Sequence, residues 1–443
     1  MKTYVFINPP ALVADRFQLE SQASHYPYGF LKIFSFYRRI IGNCHFIDMN
    51  IYNPEQKVEF ESLPLYKYIR CGNTSFEKEI RIMGMDIDYL KKRLSVIKEN
   101  IEKFFITSCL TYNYPIIWDI LKYIKNNYTK SDIILGGFYP TWIPEHASKL
   151  GARLYRGNFN KAKYYIPDYS ALNRIPPLAI FKLIDGCIYN CSFCCNKKSS
   201  TLEVYDVKKV INEIDTIYND FNITYFENWD PNVMLRPDIL KLFINKIKNR
   251  LPDISLSFEM GIQPNRLDEE MIDLFISSNV KSITIPLESA SKNMMRYFRK
   301  PYNFNDILNS VLKLYKGGFD FRRSHFTFML GYPEDDIEGI IGCYLIPIMV
   351  GGIPQPFPLT LTPKTLDYKR YYNLISNKDL AELNGNLFPL ARSNEEFLIK
   401  EKLLSIFNSK DINLVRRGLS DISDNYKKSF DEQYEILYQF FNH

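Results

Sequence analysis

The sequence predicts an α/β protein built from two parallel-sheet units in series. Three observations carry this. Short apolar runs alternate with longer stretches of helical periodicity. The alternation stops across residues 158–178, broken by Pro167, Pro176 and Pro177, and then begins again. No β-hairpin turn signal interrupts the second series, so its strands are expected to be joined through helices and to lie parallel.

In the first unit, Tyr4–Asn8 (YVFIN) closes on Pro9-Pro10 and reads as a buried strand. Tyr28–Ile41 spaces its apolar residues helically, with Arg38 and Arg39 where a helix C-terminus favours cations. His45–Asp48 reads as the second strand, and residues 53–80 as irregular. Asp86–Glu102 has the pattern of a charged amphipathic helix. Phe104–Ser108 (FFITS) is the third strand, Pro115–Tyr128 a helix, and Asp132–Leu135 a strand running into Gly136-Gly137. That order suits a flavodoxin- or Rossmann-like sheet. Ligands of such sheets gather where strands end, here near Asn8, Asp48, Ser108 and Gly136.

The second unit offers strands at Ala179–Ile184, Ile223–Glu227, Ile254–Glu259, Ser282–Leu287, His325–Leu330 and Pro358–Thr362. Helices fall between them at Val207–Asn219, Pro237–Asn249, Glu269–Ser278 and Phe304–Lys316. This suits a partial (β/α)6 barrel, with its reactive ends at the C-terminal edge of the strands. The expected organisation is residues 1–157, a linker over 158–178, the barrel over 179–369, and a helical tail over 370–443. Gly339–Pro363 carries no charge, but Pro347, Pro354, Pro356, Pro358 and Pro363 would each remove a backbone hydrogen bond from a spanning helix. It reads instead as a buried helix followed by a strand.

Composition narrows the function classes. Hydrophobic residues make up 46% and charged residues 24% of 443, ordinary for a globular chain. Lys+Arg 56 against Asp+Glu 50 leaves +6, too slight an excess to argue for a nucleic-acid partner. Eight cysteines in this length do not make a disulfide scaffold, and the first residues lack a signal-peptide core, so a cytoplasmic protein is expected.

The cysteines are not spread evenly. Cys187-Ile-Tyr-Asn-Cys191-Ser-Phe-Cys194 is a C-x3-C-x2-C run directly after the first strand of the second unit. Three thiolates can hold three irons of a four-iron cluster and leave the fourth iron open for chemistry. A zinc site would ask for a fourth ligand; Cys195 supplies it poorly, and no histidine lies near the run.

This run, at this place, resembles the radical S-adenosylmethionine (SAM) superfamily. The resemblance implies that Cys187, Cys191 and Cys194 ligate a 4Fe-4S cluster whose open iron binds SAM. Reductive cleavage of SAM then gives methionine and a 5′-deoxyadenosyl radical that abstracts a substrate hydrogen. Phe193 matches the family's aromatic before the third cysteine, which packs near the adenine; Cys195 departs from the usual pattern. Phe226-Glu227-Asn228 partly matches the acidic strand end near the methionine amino group, which implicates Glu227. Ile285-Pro286-Leu287-Glu288-Ser289 resembles the fifth-strand pattern whose polar groups reach the ribose, implicating Glu288 and Ser289. Phe328 to Glu334 resembles the sixth-strand turn backing the adenine. It contains Gly331 but lacks the second glycine. Thr362 to Tyr368 resembles the closing stretch. Glu259, at a strand end, is expected to face the same site. Cys343 is the candidate hydrogen-atom donor, with a small buried side chain as its ordinary alternative.

The first unit is similar to the cobalamin-binding domain fused ahead of many radical SAM enzymes. The residues that carry this are Asn8-Pro9-Pro10, Tyr26 to Leu31, Phe46-Ile47-Asp48, and Gly136-Gly137 followed by Pro140-Thr141 and Pro144-Glu145. By position, Ser108, Thr111, Gly136 and Gly137 would meet the ring and nucleotide tail. No histidine follows an aspartate by two residues, so the D-x-H-x-x-G route to a cobalt ligand is excluded.

The expected function is a radical SAM reaction on a small molecule or peptide, fed by an electron donor such as flavodoxin or ferredoxin. With cobalamin it would be C-methylation; without it, epimerisation, cyclisation or rearrangement. An iron–sulfur electron carrier or redox sensor is the alternative of another class.

Overall fold

The computed structural model describes residues 2–22, 26–50, 58–196, 201–406 and 409–442. The chain forms two compact units. Unit 1 is Met1–Pro176 with Thr360–Lys364 and Tyr371–Pro389; unit 2 is Pro177–Leu359 with Thr365–Arg370 and Leu390–His443.

Unit 1 is built on five parallel strands: β1 (Thr3–Asn8), β2 (Cys44–Asp48), β3 (Ile101–Ile106), β4 (Asp132–Leu135) and β5 (Arg153–Leu154). Their spatial order is β2-β1-β3-β4-β5, the flavodoxin-like order, with its switch point between β1 and β3. All six residues of β1 are buried, as a central parallel strand requires. Helix α1 (Tyr28–Ile41) buries Leu31 and Phe34, and Phe34 meets Phe46 of β2 edge-on at 5.2 Å. Phe6 of β1 stacks on Phe105 of β3 at 4.6 Å.

Two expectations for unit 1 fail. Residues expected to be irregular form a hairpin, Leu65–Arg70 against Glu77–Met83, to which Ala11–Val13 adds a third strand. Its faces are largely polar, with cross-strand pairs such as the Tyr68 hydroxyl donating to Glu79 at 3.0 Å. The apolar alternation that marks a strand is therefore faint, and only Ile69, Ile80, Ile82 and Met83 are buried in it. The long charged helix also splits. Helix α2 (Ile87–Ser95) starts where the Asp86 carboxylate accepts from the N–H groups of Asp88 and Tyr89. From Ile101 the chain pairs with β1 instead, and Ile101 and Lys103 enter the ladder on either side of a register shift at Glu102. Tertiary pairing overrides local helical propensity there. Helix α3 (Tyr114–Asn127) follows β3 and buries Ile117, Ile120, Leu121 and Ile124.

Unit 2 carries six parallel strands in consecutive order: β6 (Leu178–Phe181), β7 (Tyr225–Asn228), β8 (Ser255–Phe258), β9 (Val280–Glu288), β10 (His325–Leu330) and β11 (Ile353–Pro358). Helices α4 (Val207–Phe221), α5 (Pro237–Arg250), α6 (Glu269–Ser277), α7 (Phe304–Lys316) and α8 (Ile337–Val350) make the crossovers. This is the expected open (β/α)6 arrangement. One sheet face packs on the helices through Phe181 on Phe243, Phe258 on Phe275 and Phe328 on Tyr344. Strand alternation therefore turns Tyr225, Glu227, Ser257, Glu259, Ser282, Thr284, His325 and Gln355 to the other face. That face is polar, unlike an ordinary barrel core.

The last strand lies five residues earlier than the prolines suggested, at Ile353–Pro358 rather than 358–362. It is an edge strand, paired only with β10. The N–H groups of Ile353 and Leu359 donate to the carbonyls of Ser324 and Leu330. Pro354, Pro356 and Pro358 occupy the alternate positions, whose missing N–H groups would point away from the sheet. Ahead of it, α8 is a buried apolar helix, and no described helix is long and apolar enough to cross a membrane. Further helices, among them α9 (Asn394–Ser405) and α10 (Asp424–Asn442), belong to unit 2.

Candidate functional site

The cysteine loop leaves β6 through Ile184–Asp185, which pairs antiparallel with Glu203–Val204. Gly186 turns the chain with φ +93°, a left-handed conformation that a side chain would strain. Cys187, Cys191 and Cys194 follow, each half-buried and each a free thiol. Burial pushes the Cys187 thiol up and the Cys191 thiol up to about 11; the neighbouring cysteines add to this and the Lys300 ammonium opposes it. Cys194 is raised further, first by a hydrogen bond with Cys195 and then by burial. Burial first, and the neighbouring thiols to a lesser degree, penalise ionisation until a cation takes the charge, as in a metal-cluster donor set. No described set of three Cys, His, Asp or Glu side chains closes on a single metal ion.

The loop is anchored by Asp367, which is fully buried. Its carboxylate accepts from the Ser192 hydroxyl at 2.9 Å, the Tyr332 hydroxyl at 2.8 Å and the Arg370 guanidinium at 2.8 Å. Its own N–H donates back to the Ser192 carbonyl. Arg370 in turn lies 3.7 Å over the Tyr297 ring. Phe193 meets Phe298 edge-on at 5.6 Å, and the Ser192 N–H donates to the Phe298 carbonyl. The sequence held Asp367 only as one letter of the closing stretch.

Lys300 was not singled out in the sequence. It donates to Glu288 at 2.7 Å, with side chains 11% and 9% exposed. Its ammonium stands 5.8 Å over Phe193 and 5.0 Å over Tyr302. Burial works against its charge, but Glu288, Tyr302 and Cys191 outweigh it and hold the ammonium well above its ordinary range. Glu288, the expected ribose contact, is thus already committed through one oxygen. Ser289 accepts from the Ser291 N–H at 3.0 Å.

Glu227 and Glu259 lie at the ends of adjacent strands on the polar sheet face. Trp229 donates to Glu227 at 3.0 Å. Burial first, then the Glu259 charge, pushes the Glu227 carboxyl up to about 7. Glu259 accepts from Ser282 at 2.7 Å and Thr284 at 3.0 Å, one hydroxyl for each oxygen. After β10, Gly331 takes φ +110°, and its N–H donates to Asp335 at 2.6 Å. This side-chain brace closes the turn that lacks a second glycine. Cys343 sits on α8, fully buried, and burial pushes its thiol far up.

In unit 1, the Ser108 hydroxyl donates to the Gly136 carbonyl at 2.8 Å. Gly137 has φ +97°, and a Cβ there would lie 2.1 Å from the Ser108 carbonyl oxygen. Its glycine is required by the chain itself. Gly136 differs: a Cβ there would meet nothing closer than 3.9 Å. Thr111 is buried in a short 3-10 turn after β3. These residues border the switch point, and the open backbone beside Gly136 fits the approach of a large flat ligand.

Residues 181–342 match the Radical SAM superfamily. No curated protein sequence matches the chain. Among solved structures, the chain resembles the radical SAM methyltransferase TsrM from Kitasatospora setae with cobalamin and a 4Fe-4S cluster bound. The TM-score is 0.59 at 12% identity, over 98% of this chain and 100% of that one. A second TsrM structure, with tryptophan substrate and a SAM analogue, aligns at 0.58 and 13% identity, over 83% and 75% of the two chains. The cobalamin-dependent radical SAM enzyme OxsB, with aqua-cobalamin and SAM, aligns at 0.52 and 13% identity, over 87% of this chain and 56% of that one. Residues 181–342 thus match a family whose members use a 4Fe-4S cluster and SAM, and the chain shares the fold of these cobalamin-dependent neighbours.

Proposed function

We propose that this enzyme methylates a carbon of a small molecule or peptide, with cobalamin as the methyl carrier. The observation that supports it best is the likeness to a cobalamin- and cluster-bound methyltransferase along both chains almost in full. Cys187, Cys191 and Cys194 are the cluster ligands in this reading. A cluster held by these thiolates, with SAM on its open iron and flavodoxin or ferredoxin as electron donor, would supply the radical chemistry. The chain's own residues do the rest. Asp367 holds the cysteine loop still, and Glu227 is the acceptor for an ammonium group, a role suited to a carboxyl whose charge is otherwise disfavoured. Phe193 and the Gly331 turn offer apolar and backbone surface to an adenine. Ser108, Thr111 and Gly136 line the cobalamin approach. The reading places the enzyme in the cytoplasm, where thiols and clusters stay reduced.

Epimerisation, cyclisation or rearrangement without cobalamin is the second reading. It is favoured by Gly137, whose glycine is explained by Ser108 alone. Anaerobic reconstitution with iron, sulfide and hydroxocobalamin, then incubation with SAM and reductant, separates the two. Stoichiometric cobalamin and S-adenosylhomocysteine are expected. Deoxyadenosine with neither would leave the second reading standing and end the first.

A further inference from the structure

Lys300 follows the cysteine loop by more than a hundred residues, yet its ammonium lies beside that loop. It donates to Glu288 at 2.7 Å and stands over Phe193, the residue next to Cys194, at 5.8 Å. Of the charges acting on the Cys191 thiol, that of Lys300 comes first, ahead of Glu288.

Two further facts set this pair apart. Glu288 has φ +56° and Arg299, just before Lys300, has φ +57°. Neither is glycine, so the left-handed backbone is strained at each. Second, a buried ion pair is a poor source of stability, because desolvation cancels most of the attraction. Strained backbone at Glu288 and at the residue before Lys300, and a charge kept out of water, are not explained by folding. They are explained if the charge acts on something beside it.

We propose that Lys300, fixed by Glu288, is a positioning residue for the cluster. Its buried positive charge raises the cluster's reduction potential and eases electron entry. The proposal rests on the assignment of Cys187, Cys191 and Cys194 as ligands. The step is a one-electron transfer: the donor loses one electron, the cluster core passes from 2+ to 1+, and no bond or proton changes place. A neighbouring cation favours the more negative, reduced cluster, and low dielectric lets it do so at short range. Glu288 holds the cation and partly offsets it.

The test is a potentiometric titration followed by electron paramagnetic resonance, on reconstituted, SAM-free holoenzyme with iron counted. Wild type is compared with Lys300→Met, Lys300→Arg and Glu288→Gln. In Lys300→Met the reduced-to-oxidised ratio at the wild-type midpoint should fall about tenfold, which is 59 mV for one electron. Glu288→Gln should move the midpoint the other way, and Lys300→Arg should stay near wild type. Opposite signs for the two neutral variants would not arise from a merely structural role. If Lys300→Met loads no iron, Glu288→Gln decides: a rise supports the proposal, and no change or a fall overturns it. Midpoints that do not move in either variant overturn it while leaving the cysteine assignment intact. Wild-type protein that takes up no iron overturns both.

Discussion

Unit 1 and unit 2 are both parallel sheets with candidate ligand contacts at the C-terminal edge of their strands, but they prepare those edges differently. In unit 2 the contacts are ionisable side chains taken out of water: three thiols whose ionisation burial disfavours, the Lys300–Glu288 pair, and Glu227, whose charge burial and Glu259 disfavour. In unit 1 they are backbone and small hydroxyls that already satisfy each other, as Ser108 does with Gly136. A cluster is bound by specific donor atoms, so its site must carry them and bear the cost before the ligand arrives. A macrocycle is bound by surface and backbone, so its site looks like ordinary packing when read from the protein alone.

Four experiments would break or sharpen this contrast. The largest effect is expected from Cys191→Ala: loss of the cluster's visible absorbance and of all deoxyadenosine formation, while the far-ultraviolet circular dichroism stays unchanged. Retained absorbance would show that a donor other than Cys191 completes the set.

Next comes a pair within unit 1. Gly137→Ala forces a methyl group onto the Ser108 carbonyl at a left-handed φ and should cost about 2–4 kcal/mol, read as an earlier unfolding transition in urea. Gly136→Ala should leave that transition within about 0.5 kcal/mol. A fall in cobalamin affinity for Gly136→Ala at unchanged stability would mark that position as a ring contact. If both variants unfold alike, the distinction between them is wrong.

Third, Asp367→Ala removes the carboxylate shared by Ser192, Tyr332 and Arg370 and should cost about 2–3 kcal/mol in the apo protein, with slower iron uptake. Unchanged uptake kinetics would mean that the cysteine loop does not need its anchor.

The smallest effect concerns Glu227. Its carboxyl is raised from 4.5 to about 7, so the folded state prefers it protonated. The stability this lends is complete below about 4.5 and is lost as the pH climbs through about 7. The full shift would be worth about 3 kcal/mol, and solvent reaching the half-buried carboxyl reduces this, so between those limits the apo protein should lose on the order of 1–2 kcal/mol that Glu227→Gln does not lose. Parallel stability–pH curves for the two proteins would show that the carboxyl is not strained.

The same contrast governs what could be read from the chain alone. The cysteine run is legible because its three donors are consecutive in one loop, where spacing is itself geometry. Glu227 and Glu259 are legible because each ends a clear strand. Lys300 is not, since it reaches the cysteine loop only after β9 and the turn beyond it are in place. The hairpin at residues 65–83 hid behind polar alternation, because strand signals are apolar ones. The turn after β10 was readable from Gly331, but not the way Asp335 makes up for the absent second glycine.

The prolines of β11 carry a consequence of another kind. An open barrel leaves its last strand with one unpaired side, and such sides invite a strand from another molecule to join. Here every second residue of that strand is proline, so the outward rim offers acceptors with no donors at Pro354, Pro356 and Pro358. A neighbouring chain finds no ladder to extend. The sheet can remain unclosed and still resist stacking into fibrils at the high local concentrations of a crowded or newly synthesised population.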